Sequence, residues 1–281
     1  MPPPSHFAIA LILSAALLHA LWNAVVKGSG DRGITIGLVA IGNAMFGMAL
    51  ALFADPPAVE SWIFIGLTIA IHVFYFVFLI MAYRLGDFSQ VYPIARGIAP
   101  VLVALSAMVF TGEHLPPLAW AGLLTVCLGI SVLVFTRGGL QASPAAIGAA
   151  LLTGVSIAGY TIADGMGVRA SGSPIGYIGW SFGLQVFLGI GFLIWRRKKL
   201  KLLSLRGYVA GLVGGLISGM AYALAIYAMN LTTLGTVSAI RESSVIIAAL
   251  IGVVWFGERP WLPRLVAAVI VAAGIILLAN G

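Results

Sequence analysis

Residues 91–115, VYPIARGIAPVLVALSAMVFTGEHL, decide how this chain folds. The stretch is long and apolar enough to cross a bilayer as a helix, yet it holds Arg96 in its first half and closes on Gly112-Glu113. Residues 237–260, VSAIRESSVIIAALIGVVWFGERP, repeat the pattern. Arg241, Gly257 and Glu258 each follow their counterparts by 145 residues, and CLGI at 127–130 meets AAGI at 272–275 at the same spacing. Several matches at one offset indicate an internal duplication. A charge in hydrocarbon is expensive, so an arginine at the same depth of both copies needs a physical reason.

Composition excludes a water-soluble globule. Hydrophobic residues make up 61% of the 281 and charged residues only 8%, against about 25% charged in soluble domains. The net charge of +7 does not indicate nucleic acid, because the basic residues lie between apolar runs, where they orient a membrane protein. One cysteine, Cys127, allows neither an intramolecular disulfide nor a cysteine metal motif. The start, MPPPSHFAIALIL, has no basic n-region or cleavage site and reads as a retained span.

Ten apolar runs follow, near residues 7–27, 34–54, 61–83, 88–111, 116–136, 144–167, 174–195, 206–229, 233–256 and 261–279. Their length and continuity predict an all-α polytopic membrane protein rather than a barrel. A division into 1–139 and 140–281 gives two repeats of five helices. An odd number of spans makes the second repeat enter from the opposite face, the inverted-repeat plan of secondary transporters. Lys27, Arg32, Arg84, Arg137, the basic cluster in 196–206 and Arg259 follow odd-numbered spans, whereas the even connections hold only Arg169. The positive-inside rule therefore places both termini outside a bacterial-type inner (plasma) membrane.

The polar residues within the spans are the candidate site. Arg96 and Arg241 lie on opposite sides of the midplane and read either as holders of an anionic group, which a guanidinium grips in a fork, or as inter-helix bridges to a nearby acid. Pro93 and Pro100 bracket Arg96 and are expected to free backbone groups. Glu242 diverges by about 100° from Arg241 on a helix, so it pairs with another helix or is protonated, and it is a proton-coupling candidate. Glu113 and Glu258 end spans and read as exposed or capping.

Thr153, Ser156, Tyr160 and Asp164 share one helix face. Asp164 is the best partner for an arginine or a substrate amine, and a second proton-coupling candidate; its place near the span end equally suits a solvated acid. His19, Trp22 and Asn23 on the first span, His72, Tyr75, Phe76 and Tyr83 on the third, and Ser218 and Tyr222 on the eighth suit a cavity wall. The bland reading of each lone histidine is an inter-helix hydrogen bond. Trp62, Trp120, Trp195 and Trp261 read as interfacial belt residues.

YPIARGIAP at 92–100, AIRESS at 239–244, the two Gly-Glu endings and the CLGI/AAGI pair resemble the EamA-type members of the drug/metabolite transporter superfamily over nearly the whole chain. The resemblance implies a ten-helix carrier with a central cavity lined by helices 1, 3, 4, 6, 8 and 9 and with helices 5 and 10 peripheral. Similar members move amino acids, nucleotide-derived metabolites, and choline-like or drug-like solutes, often outward.

The leading reading is a secondary transporter of a small anionic or zwitterionic, amino-acid-like metabolite, working by alternating access as an exporter. The substrate-binding candidates are Arg96, Arg241, His19, Trp22, Asn23, His72, Tyr75, Ser156, Tyr160 and Tyr222. No Walker loop occurs, so the energy must come from a gradient, with protons as a candidate, or transport is facilitated. The alternative, an intramembrane lipid-modifying enzyme, would need a nucleophile–base or metal constellation, and neither GxSxG nor HExxH is present. No cofactor, metal or nucleic acid is expected; the partners are the bilayer and the solute, in a monomer or weak homodimer.

Overall fold

The computed structural model describes residues 3–26, 32–86, 88–135, 143–201, 203–256 and 261–281. The expected boundary at 139/140 lies outside the described residues, as do Lys27, Arg137, Gly257, Glu258 and Arg259.

Hydrocarbon offers a backbone no hydrogen-bond partners, so apolar runs of this length close their own bonds as helices. They are α1 (His6–Val26), α2 (Arg32–Phe53), α3 (Trp62–Leu85), α4 (Phe88–Phe110), α5 (Pro117–Phe135), α6 (Pro144–Ala170), α7 (Pro174–Leu184), α8 (Val186–Trp195), α9 (Arg197–Leu200), α10 (Leu205–Met229), α11 (Leu234–Arg241), α12 (Ser243–Phe256) and α13 (Leu262–Asn280). The protein is an all-α polytopic membrane protein. Among the described residues nine segments are long and apolar enough to span, and a shorter apolar helix, Pro117–Val132, stands at the fifth expected position. Among the described residues four helices start on serine caps: Ser5, Ser143, Ser173 and Ser204 each accept the backbone N–H three residues on, at 3.2 Å.

Four local expectations need correction. The helix α6 runs on to Ala170, three residues past the expected end, because RASGSP begins with residues a helix tolerates and only Ser171 and Gly172 stop it. Pro93 and Pro100 do not interrupt α4; Pro100 only removes the N–H that the Arg96 carbonyl would otherwise receive. The segment 196–206 carries a helical turn, α9. The seventh and ninth expected spans are each broken, at Gln185 between α7 and α8 and at Glu242 between α11 and α12. At the second break the Glu242 N–H turns back to Ala239 (3.2 Å) and the Glu242 carbonyl accepts from Val245 (3.0 Å), a local tightening that rotates Glu242 away from the smooth helical path.

The packing follows a pattern of exchange. Helix α3 packs on α6 as α1 packs on α10; α4 packs on α6 as α1 packs on α12; α5 meets α13, α2 meets α7 and α8, and α4 meets α11. Replacing every span by the one five later turns this set of pairs into itself. The largest departure from it is one pair. Helix α2 lies closely along α10, whereas the exchanged pair, α3 with α7 and α8, meets mainly at α7. Glycines set the close crossings: a Cβ on Gly42 would overlap the Leu212 carbonyl, and one on Gly122 would stand 2.7 Å from the Gly274 carbonyl.

Candidate functional site

Helices α1, α3, α4, α6, α10 and α11 bring their polar residues together in the bundle interior. Arg96 sits one helical turn after Tyr92 on α4 and is 6% exposed. Its Nε donates to Glu242 Oε2 at 2.7 Å, and its Nη2 donates to Ser244 at 3.4 Å. Of the two readings of this arginine, the inter-helix bridge is the one observed, and Glu242 is accounted for by a partner on another helix. The break at Glu242 is what lets adjacent residues Arg241 and Glu242 serve different neighbours.

Among the described residues Arg241 has no such acid. It is 4% exposed, and among the described residues its Nε and Nη2 have no hydrogen-bond partner. The guanidinium lies over the Tyr222 ring, 5.3 Å from its centroid, a contact worth about 0.5–2 kcal/mol and far short of solvating a buried charge. The 145-residue offset explains the inequality. Arg96 and Arg241 are counterparts, but the counterpart of Glu242 is Gly97, which carries no side chain. Two copies supply two arginines, and only one supplies the adjacent acid. Polar atoms without partners collect in the same short stretch, at Ser238, Arg241, Glu242 Oε1 and Ser243. Native interiors leave few such atoms, and a run of them marks a place where a ligand or solvent completes the bonding.

An aromatic wall borders Arg241. Tyr160 stacks on His72 (4.4 Å, 22°) and meets Tyr75 (5.8 Å, 89°) and Tyr222 (5.9 Å, 88°) edge-on. Phe182 of α7 lies behind Tyr222, 5.8 Å away and nearly parallel. His72 Nδ1 lies 2.7 Å from the Thr68 carbonyl of its own helix. Among the described residues its tie to other helices is the stacking on Tyr160, not the expected inter-helix hydrogen bond.

Asp164 is 1% exposed, which removes the solvated alternative. It accepts from Tyr222 at 2.6 Å and from Tyr177 at 3.1 Å, so Tyr222 stands between this carboxyl and Arg241, its hydroxyl on one and its face on the other. The same offset of 145 superposes Asp164 on His19. His19 Nδ1 accepts from Trp22 (3.3 Å), and Asn23 donates to the His19 carbonyl (2.7 Å), so the three form one knot on α1. Ser156 and Thr153 are buried and donate to carbonyls one turn back on α6. Among the described residues no group of three or more His, Cys, Asp or Glu is placed to hold a metal.

Glu113 is 3% exposed, which overturns the exposed reading and leaves the capping one. Gly112 adopts φ +66°, open to glycine without strain, and this turn swings Glu113 back against the bundle. Its carboxylate accepts the Leu234 N–H at 2.8 Å, at the start of α11, and pairs with Arg169. Arg169 also donates to the carbonyls of Met229 (2.9 Å) and Thr232 (2.8 Å). The one basic residue of the even connections is therefore engaged in a specific junction. Sequence reading missed Tyr177, Phe182, Ser244 and the role of Gly97; only the last left a signal, the offset itself.

A protein of known crystal structure is 19% identical and superposes with a TM-score of 0.79 over 96% of this chain and 97% of its own, which shows the shared fold. No curated protein matches in sequence. Residues 144–280, from the start of α6 to the end of α13, match the EamA-like transporter family. With the same motifs recurring at a fixed offset in its first half, the chain is an EamA-type member of the drug/metabolite transporter superfamily.

Proposed function

We propose that the protein is a secondary transporter that binds the anionic group of a small anionic or zwitterionic metabolite at Arg241, beside the tyrosine wall, and moves it outward by alternating access. The observation that carries this reading is the buried guanidinium with two nitrogens unpartnered among the described residues, in a chain that carries one acid, Glu242, for two arginines and gives it to Arg96. A carboxylate, phosphate or phosphonate fits that fork and supplies the missing charge. Tyr75, Tyr160, Tyr222 and His72 then form the wall against which the body of the solute lies, with His19, Trp22, Asn23 and Ser156 further out. Arg96, held by Glu242, sets the local field and contacts the solute when the pair opens.

The exchange pattern of the packing supports residues 1–139 and 140–281 as inverted repeats, and the distribution of Lys and Arg supports an inner-membrane protein with both termini outside. Asp164 and Glu242 are the candidate proton carriers. Asp164, opposite His19 in the duplication, reaches Arg241 through Tyr222, so a proton there would alter the charge that the substrate meets.

The test is a thermal-stabilisation screen of detergent-purified protein with amino acids, phosphonates, nucleobases and cationic drugs, followed by counterflow of the labelled hit in proteoliposomes. Anionic or zwitterionic hits are expected to stabilise wild type and not Arg241→Gln. Hits that are all cationic, or that stabilise a folded Arg241→Gln protein equally, overturn the site. Absence of counterflow with a bound hit overturns transport.

A further inference from the structure

We infer that the groove between α3 and α8 is a binding site for one anionic phospholipid, its acyl chain in the groove and its phosphate on the basic rim. The groove is a cavity of about 250 Å3 walled by Phe76, Val77 and Ile80 of α3 and by Leu188, Phe192 and Trp195 of α8. It is just under the ~300 Å3 at which sites for drug-sized solutes begin, a size for a single chain segment. Its floor is firm: Phe76 and Phe192 meet edge-on at 5.3 Å, and Phe192 lies 6.2 Å from Trp195.

The groove is not a general consequence of the architecture. Under the exchange of repeats its counterpart is the seam between α2 and α10, which Gly42 and Gly215 close by direct backbone approach. Here the chain breaks at Gln185; α7 stays against α3, while α8 packs on α2 and leaves the lower half of the seam open.

Both walls end in basic residues at the same end. On α3, Arg84 is exposed one turn beyond Ile80. On the other wall the Arg196 guanidinium lies 4.1 Å over the Trp195 ring, and Arg197, Lys198 and Lys201 follow, exposed, in and after α9. An apolar slot opening under a cluster of cations matches a chain joined to a phosphate, and basic pockets of this kind recognise anionic head groups. A second copy of the chain is disfavoured there, because a symmetric contact would set the two basic rims together.

Native mass spectrometry of the intact protein, titrated with phosphatidylglycerol and phosphatidylcholine of identical chains, tests the site. Wild type is expected to retain phosphatidylglycerol about tenfold more tightly. The double variant Arg197→Glu/Lys198→Glu should lower it to the phosphatidylcholine level, and Val77→Trp, which fills the slot, should weaken both lipids. Quenching by brominated phosphatidylglycerol, taken as the difference between wild type and Trp195→Phe, places the chain without altering any charge. Equal retention of the two lipids by wild type overturns the inference. So does an unquenched Trp195, which would mean surface attraction alone, or a dimer that Val77→Trp dissociates. None of these outcomes involves the transported solute.

Discussion

Arg96 and Arg241 occupy equivalent places in two copies of one helix, at nearly equal burial, and they live in different chemistry. Arg96 is closed: Glu242 and Ser244 take its donors, and the pair ties α4 to the break between α11 and α12. Arg241 is open: a tyrosine face lies beneath it, and two of its nitrogens have no partner among the described residues. The difference originates in one position of the duplicated sequence, Glu242 in the second copy and Gly97 in the first. Removing one member of a buried ion pair is costly because the other charge stays behind. Leaving an arginine unpaired is costly for the same reason, so an open arginine is retained only where something outside the chain completes it. In this comparison the closed copy ties helices together, and the open copy is the proposed binding site.

The largest effect is expected from breaking the closed copy. Glu242→Ala leaves Arg96 buried and unpaired and should destabilise the protein by about 3–5 kcal/mol. Arg96→Ala, which strands Glu242, should do nearly the same. Arg241→Gln removes a charge that has no acid and should leave stability unchanged or raise it. Unfolding in detergent, followed by circular dichroism, checks all three. Equal losses at Arg96 and Arg241 would erase the distinction between the copies.

The second effect is on binding. Arg241→Lys keeps the charge and loses the planar fork, so it should weaken the anionic hit by about ten- to a hundredfold, the loss of roughly 1.5–3 kcal/mol for one charge-assisted contact. Arg96→Lys, tied by a single strong bond to Glu242, should change affinity much less. Calorimetry on monodisperse protein separates the two, and a larger loss at Arg96 would reverse the assignment.

The third prediction turns the open copy into a closed one. Gly97→Glu restores the acid that the first repeat lacks. A Cβ at Gly97 meets only Ile130 Cγ2, at 3.7 Å, so the backbone has room for a side chain. The new carboxylate is expected to pair with Arg241 as Glu242 pairs with Arg96, lowering substrate affinity by about tenfold or more while the protein stays folded. Undiminished binding in a folded Gly97→Glu protein would mean that the symmetry of the two copies does not extend to this contact.

The course of these helices could be read from the sequence because apolar length and the 145-residue offset are local or periodic signals. The EamA-like plan followed from Arg96 and Arg241, Gly112-Glu113 and CLGI/AAGI for the same reason. The pairing was not legible. Glu242 lies 146 residues from its partner, and nothing in RESS says which of two arginines it meets. The breaks at Gln185 and Glu242 have no proline or glycine at the break itself, so no local signal marks them. Asp164 suited a solvated acid as well as a buried partner because its span seemed to stop at 167, and three more residues of α6 with two tyrosines from α7 and α10 bury it.

The smallest expected effect lies at the end of α4, far from either arginine. Glu113 holds together what the Arg96–Glu242 pair holds nearer the centre: the end of α4, the start of α11, and α6 through Arg169. Its two bonds are unlike in environment. The cap to Leu234 is buried, whereas the Arg169 side chain is 28% exposed and its share of the ion pair is screened by solvent. Glu113→Gln keeps an oxygen for the cap and loses the charge, so the stability loss should be about 1 kcal/mol, most of it from the weakened cap. Because the junction joins α4 to α11 and α6, the same change should speed any motion that separates α4 from α11. The measurement pairs unfolding in detergent with the rate of counterflow in proteoliposomes. A small stability loss with faster exchange identifies a latch that opens during transport. A loss of several kcal/mol with no change in rate would make Glu113 a second closed contact, equivalent in kind to Arg96 with Glu242, and the division between a structural copy and a working copy would then have to be drawn elsewhere.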